Sequence, residues 1–412
     1  MYYFGNNTGM NISEPQFDAG PAASHPSRTG LPENLASGSV LLLADDLTGA
    51  CDACLGFVNQ GFTASVLLQN ELPEVVVASD VVAVVTHTRN LPPQPAAECI
   101  QDLQRMHNFN AANIFHKVDS AGRGNPGAEM EAIAGRASCD AIVFAPAFPG
   151  AGRVVRQGQL HVTDFSGQDT EISLASLVPA SIRTQVEILP AAPAHSLRSG
   201  LSDAYSAGRN LWICDAVTPQ DLNNLVEAAA GLGLRLLWSG SAGLAAAVAQ
   251  HLAAGCSGRA VQPVLPVRPG RTLVVCGTDH PVTLAQMQQL AASAVEVSMD
   301  AAVVPEFACG FLQMDWSRVT EDALRGFWHR LHNADQPPIT SLLLTGGDTA
   351  AFVLEALHAV ALKIGGQVEQ GIPWSLVQGG LADGVLVITK SGGFGTPESL
   401  RRSAEFSQRI RA

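Results

Sequence analysis

Short apolar runs alternate with longer amphipathic stretches along most of this chain, starting at residue 39. Ser39–Ala44 (SVLLLA) reads as a buried strand, broken at Asp45-Asp46-Leu47-Thr48-Gly49 and followed by a helix-like stretch to about Gln60. Further strands are predicted at Thr63–Leu68, Val81–Val85, Asn113–Val118 and Ala141–Ala145, with helices over Pro92–His107 and Gly127–Ala137. The strands are continuously apolar, not alternating. That pattern marks a parallel sheet with helices on both faces. Residues 150–185 alternate in polarity and predict a β-rich insertion or flap. Asn210–Cys214, Pro219–Ala230 and Leu234–Trp238 resume the α/β rhythm, and Ser239–Ala254 is an Ala-rich helix with a Gly-rich mouth. Gly255–Gly270 is Pro- and Gly-rich and reads as a linker, which puts a domain boundary near residue 265. A second α/β unit opens at Thr272–Cys276. The expected class is therefore α/β in two domains: a parallel-sheet substrate domain over 39–264 and an α/β nucleotide-binding domain over 265–412. Residues 1–38, rich in Asn, Gly, Pro and Ser, read as a disordered leader.

Composition narrows the function. With 412 residues, 47% hydrophobic and 15% charged, the chain has material for two cores. Its net charge of −13 argues against nucleic acid and against anionic membrane surfaces as partners. A local cationic pocket for a small anion remains compatible with that charge. No apolar run approaches the length of a membrane span, and the N-terminus lacks the basic start and apolar stretch of a secretion signal. Eight scattered cysteines read as reduced thiols, so a cytoplasmic location is expected. Cys51-x-x-Cys54 has no second ligand pair beside it and reads as two small helix residues rather than a zinc or redox site.

Three successive strand ends carry charge. The first holds Asp45 and Asp46, where ligands bind in open parallel sheets. Two adjacent carboxylates there fit a general base with a substrate or Mg²⁺ contact, and Asp46 or Thr48 also fits a helix N-cap. The second is Thr86-His87-Thr88-Arg89, with an arginine suited to bidentate recognition of a carboxylate. The third runs Lys117-Val118-Asp119-Ser120-Ala121-Gly122-Arg123, where Lys117 and Asp119 share one face of an extended end. Carboxylates for a hydroxyl, beside cations for a carboxylate, describe a site for a small polyhydroxy acid. Gly122, Gly124 and Gly127 form a G-x-G-x-x-G, but it follows a later strand than a dinucleotide fold requires, so an NAD reading is set aside. Pro146–Gly150 with Gly152-Arg153 is placed at the substrate mouth, and the tryptophans are read as core or interface.

The second unit carries glycine turns. Cys276-Gly277-Thr278 ends its first strand, Gly346-Gly347-Asp348-Thr349 follows LLLT, and Lys390-Ser391-Gly392-Gly393-Phe394-Gly395 follows VLVIT. Turns of this kind, opening helices, present backbone N–H groups to phosphates. No Walker A motif is present.

Taken in order, ADDLTGA, T-x-T-R, KVDSxxRGN, APAFPGAGR, SGSAGLA, TGGDTA and KSGGFG resemble the four-carbon acid sugar kinase family over about residues 39–400. The resemblance implies ATP-dependent phosphorylation of the terminal hydroxyl of D-threonate, D-erythronate or a 3-oxo-tetronate, with Mg²⁺. It implies catalytic roles for Asp46 and Asp45, and acid binding by Asp46, Arg89, Lys117, Asp119, Ser120 and Arg123. It implies ATP binding by Thr278, Gly346, Gly347, Asp348, Thr349, Gly392 and Gly393. The chain departs from the family at Ala121-Gly122, where Thr-Leu is usual, and at Asp279-His280 after the Gly-Thr turn. A non-catalytic metabolite binder on the same scaffold is the alternative. A homo-oligomer is compatible with either reading.

Overall fold

The computed structural model describes residues 39–68, 79–106, 113–163, 167–255, 269–301, 303–333 and 335–409. The leader expected over 1–38 and the boundary expected near residue 265 lie outside them. The N-terminal half contributes β1 (Val40–Ala44), β2 (Ala64–Leu67), β3 (Val81–Val85), β4 (Asn113–Lys117) and β5 (Ala141–Ala145). Three short strands follow: β6 (Arg153–Arg156), β7 (Gln159–Thr163) and β8 (Asp169–Ser173). Then come β9 (Val186–Leu189), β10 (Leu211–Cys214) and β11 (Leu236–Gly240). The C-terminal half adds β12 (Arg271–Cys276), β13 (Val295–Glu296), β14 (Cys309–Gln313) and β15 (Ile339–Thr345). It closes with β16 (Ala361–Glu369), β17 (Ile372–Gln378) and β18 (Leu386–Lys390).

The two α/β units share one sheet. Among the described residues its 15 strands run in the order β13-β14-β12-β15-β18-β17-β16-β2-β3-β1-β4-β11-β5-β10-β9. Pairing is parallel within each unit except at β16-β17 and β17-β18, and strands β1, β3 and β5 are buried along their full length, as their unbroken apolar sequences require. The units join where β16, paired with β17 in a hairpin, runs antiparallel to β2, a link that the apolar pattern did not reveal. The expected flap is a separate antiparallel sheet, β6-β7-β8.

Each parallel block has a central strand whose neighbours lie on opposite sides in chain order. In the first block this is β1, flanked by β3 and β4; in the second it is β12, flanked by β14 and β15. Such reversals open a crevice at the carboxyl ends of the strands. The Leu47–Val58 helix, which follows β1, is apolar nearly all round because it is covered on both sides. It packs on the Ala242–Ala254 helix and reaches β16 of the other unit. Small residues set that spacing: a Cβ on Gly56 would lie 3.0 Å from Ala246 Cα.

The hairpin that joins the units also depends on missing side chains. A Cβ on Gly365 would stand 2.0 Å from the Trp374 ring carbons. Gly365→Ala is therefore expected to cost about 1–3 kcal/mol through overpacking. Gly135, inside the Pro126–Ala137 helix, has nothing within 4 Å of its Cβ position, and Gly135→Ala is expected to add up to about 1 kcal/mol. Thermal melts of both variants check the pair. A Gly365→Ala protein as stable as the parent would refute the packing argument.

Candidate active site

The carboxyl ends of both blocks open into one cleft of about 1160 Å³. That is ample for a small acid and a nucleotide together. It is lined from the N-terminal half by Asp45, Asp46, Asp52, Arg89, Lys117, Asp119, Ser120, Arg123 and Arg153. From the C-terminal half come Thr278, Asp279, Trp316, Gly346, Gly347, Asp348, Thr349, Gly392 and Gly393. All the residues singled out in the sequence for acid or nucleotide binding thus line one space. The two sets nearly touch: a Cβ on Gly347 would lie 3.1 Å from Asp46 Oδ2 and 3.4 Å from Thr48 Oγ1.

Arg89 organises the first set. Its Nε donates to Asp45 Oδ2 at 2.9 Å and its Nη2 to Asp45 Oδ1 at 2.7 Å. Nη2 also donates to Asp46 Oδ1 at 2.8 Å, and Nη1 pairs with Asp46 Oδ2 at 2.7 Å. Asp119 Oδ2 lies 3.6 Å from Nη2. One guanidinium from the end of β3 thus ties down carboxylates from the ends of β1 and β4. Burial raises Asp45 above its ordinary range, against the pull of Arg89 and Lys117.

Asp46 serves two structural duties at once. It caps the Leu47–Val58 helix by accepting from Gly49 N at 2.8 Å, and it accepts from Thr48 Oγ1 at 2.7 Å. With the two contacts from Arg89, each of its oxygens carries two partners. Asp119 is similarly occupied: it accepts from Ala121 N, and from Arg123 Nε and Nη2 at 3.0 and 2.7 Å. Burial opposes its charge, but Arg123, Arg89 and Lys117 outweigh burial and hold it below the usual carboxylate range. A proton taken up by Asp46 would have to displace one of its partners.

Asp52 was not singled out in the sequence, where it looks like an ordinary helix carboxylate. It lies on the same helix face as Gly49, three residues on. Lys117 reaches that face: a Cβ on Gly49 would be 3.0 Å from its Nζ. Among the described residues, Asp52 has no arginine partner. Burial pushes it up to about 6, with Lys117 lowering it and Asp46 raising it. Lys117 itself is buried, and its ammonium donates to Val118 O at 2.7 Å.

The second set is built from backbone. Gly346 has φ of +103°, a conformation open to glycine, and the next residue starts the Gly347–Ala356 helix. The three turns crowd together: Cβ atoms on Gly346 and Gly392 would lie 3.3 and 3.0 Å from Thr278 side-chain atoms. Lys390 does not line the cleft. It is buried beneath the Ser391–Gly395 loop and donates to Thr283 Oγ1, Ser391 O, Gly392 O and Phe394 O. Burial lowers it to about 7. His280, one of the departures, caps the Pro281–Ala291 helix and packs against Gly393. Trp316, expected as core or interface, lines the cleft. It is exposed in the cleft, donates from Nε1 to Gly277 O and stacks edge-on with Phe352.

No cluster of three or more His, Cys, Asp or Glu is placed to cage a metal among the described residues.

Residues 40–248 match a family model described as a sugar-binding N-terminal domain, and residues 306–400 one described as a nucleotide-binding C-terminal domain. A D-threonate kinase of Bordetella bronchiseptica is 31% identical, with 88% of this chain and 96% of the relative aligned. A 3-oxo-tetronate kinase of Actinobacillus succinogenes is 25% identical over 86% of this chain and 96% of its own. A crystal structure of a Salmonella typhimurium LT2 protein shares the fold at 21% identity and a TM-score of 0.69, covering 89% of this chain and 98% of that one. No described helix is long and apolar enough to cross a membrane.

Removing Arg89 would strand Asp45 in the interior. Arg89→Met is expected to cost about 3–5 kcal/mol at pH 8. Asp45, already raised by burial, would rise further without its guanidinium. A carboxylate raised in the fold takes up a proton more readily folded than unfolded, so the deficit shrinks as pH falls through that raised value. Urea melts of both proteins at pH 8 and pH 5 check this. A deficit independent of pH would count against the ion pair as its cause.

Proposed function

This chain belongs to the four-carbon acid sugar kinase family, and from that premise we propose that it moves the γ-phosphoryl group of ATP to the terminal hydroxyl of a four-carbon sugar acid. D-threonate, D-erythronate and 3-oxo-tetronate are the candidate acceptors. The supporting observation is the approach of Gly347, at the head of the nucleotide-side helix, to the acid side, where a Cβ on it would lie 3.1 Å from Asp46 Oδ2 and 3.4 Å from Thr48 Oγ1. A γ-phosphate on that helix N-terminus would face the acid directly.

Arg89 has four contacts on five N–H donors and little left to give. Lys117, with one hydrogen bond, and Arg123, 63% exposed, have capacity for the acid's carboxylate. Asp46 and Ser120 orient the hydroxyls. Asp52 takes the proton of the attacking hydroxyl, because it is the lining carboxylate of this half without an arginine on it. The triphosphate lies on the turns at Thr278, Gly346–Thr349 and Gly392-Gly393, whose N–H groups and helix dipole receive it. Mg²⁺, bound to the phosphates, would neutralise their charge. Positioning and charge neutralisation then supply most of the rate.

A coupled ADP-release assay across four-carbon acids tests the activity; ligand-induced thermal shifts without turnover would favour a binder instead. For Asp52 the sign is set by its raised value. Below about pH 6 it is protonated and cannot accept, so kcat should fall on the acid side with a midpoint near 6. Asp52→Asn should lose about 10²–10⁴-fold in kcat together with that acid limb. An unchanged acid limb would give the base role to another group.

A further inference from the structure

The cleft's arginines differ in how they are held. Arg89 is shared by Asp45, Asp46 and Asp119, and Arg123 is paired with Asp119. Arg153, the first residue of β6 in the flap, forms no ion pair among the described residues. Its Nη1 donates to Ala151 O, and its Nε is buried with no hydrogen-bond acceptor among the described residues. A buried donor left unmade is costly and calls for a ligand or water. Its guanidinium stands 5.3 Å from the centroid of the Phe394 ring, in the nucleotide-side loop. Burial lowers Arg153, while Asp119 and Arg123 of the acid side act on its charge from beyond pairing distance. The flap touches the nucleotide half a second time, where a Cβ on Gly150 would meet Gln370 at 2.3 Å.

The nucleotide half needs such a cation. It contributes neither Lys nor Arg to the described lining of the cleft. Lys390 is spent on loop carbonyls, and burial lowers His280, with Lys390 and Arg123 adding to the effect.

We propose that Arg153 is a catalytic residue that donates to the phosphoryl group in flight between the two substrates. The proposal rests on the kinase reading above. In the step, the terminal hydroxyl oxygen of the acid bonds to the γ-phosphorus while the bond from that phosphorus to the bridging oxygen breaks. The bridging oxygen leaves with its electron pair as part of ADP, and the hydroxyl proton goes to Asp52. Charge builds on the equatorial and leaving oxygens, where a preorganised arginine is most effective. The Phe394 ring holds the guanidinium plane in place without consuming an N–H.

The test compares wild type with Arg153→Met and Arg153→Lys in steady-state kinetics, with binding of the acid and of an ATP analogue measured separately. Arg153→Met should lose about 10³-fold in kcat while both affinities stay within about threefold. Arg153→Lys should keep the charge and still lose kcat, since it lacks the planar fork. Guanidinium ion, added to Arg153→Ala below denaturing concentration, should restore turnover where sodium does not. If Arg153→Met melts lower, the Lys variant decides: lower kcat at unchanged melting temperature upholds the proposal, and wild-type kcat overturns it. A raised KM with unchanged kcat also overturns it, making Arg153 a binding residue. Wild-type protein inactive on every four-carbon acid would sink the kinase reading and this inference with it. An active wild type with a fully active Met variant would sink this inference alone.

Discussion

One guanidinium holds the acid side together. Arg89 comes from the end of β3 and reaches carboxylates placed by β1 and β4. Without a cation between them, Asp45, Asp46 and Asp119 would repel one another in a partly dry crevice, and burial alone would drive one or more to protonate. With it, three strand ends take a single relative position. The arrangement also divides the labour among carboxylates. Asp45, Asp46 and Asp119 are tied to Arg89 or Arg123, while Asp52, one helical turn beyond Gly49 and with no arginine partner among the described residues, is pushed up to about 6 by burial.

The same accounting extends across the cleft. The nucleotide side is made of backbone N–H groups, glycine turns and a helix N-terminus, which receive phosphate oxygens well but carry only partial charge. Its buried lysine is a girder for the loop, not a ligand for phosphate. The lysine and arginines of the described cleft lining therefore all come from the opposite half. This makes the chemistry depend on both halves meeting, because neither alone holds the donors that a phosphoryl group needs while it is between oxygens.

Local pattern made much of this legible. Unbroken apolar runs such as VLLLA and VVAVV exposed the parallel strands, and charge or glycine at their ends exposed the residues that line the cleft. The flap announced itself by its polar alternation. What stayed hidden depends on contacts distant in sequence. The β16–β17 hairpin and its pairing with β2 leave no local mark that separates one shared sheet from two. Asp52 is indistinguishable in sequence from a solvated helix residue; its place in the cleft beside Lys117 and Asp46 emerges only when the strand ends are assembled. Trp316 looks like core material by composition, and its exposure follows from standing at the rim of the nucleotide turns. That Arg153 lacks a carboxylate, where Arg89 has several, is equally invisible until the strand ends are placed.

The hairpin explains how two ordinary crevices become one site. The blocks are linked through three antiparallel steps, β2 to β16, β16 to β17 and β17 to β18, so their strands run in opposite senses along the sheet. In a flat sheet their carboxyl ends would then lie on opposite edges, and the two ligands could never meet. Sheets twist, however, by roughly 20–25° per strand. The seven steps from β1 to β12 turn the second block through most of a half-circle and bring its carboxyl ends round to the first. Register shifts in β16, at Ile364/Gly366 and Gln367/Glu369, add local bend where the blocks join. Close packing of Trp374 over Gly365 and Gly366 fixes that bend. The spacing between the two sets of strand ends is thus set by this hairpin, whose own Gly371 and Pro373 line the cleft.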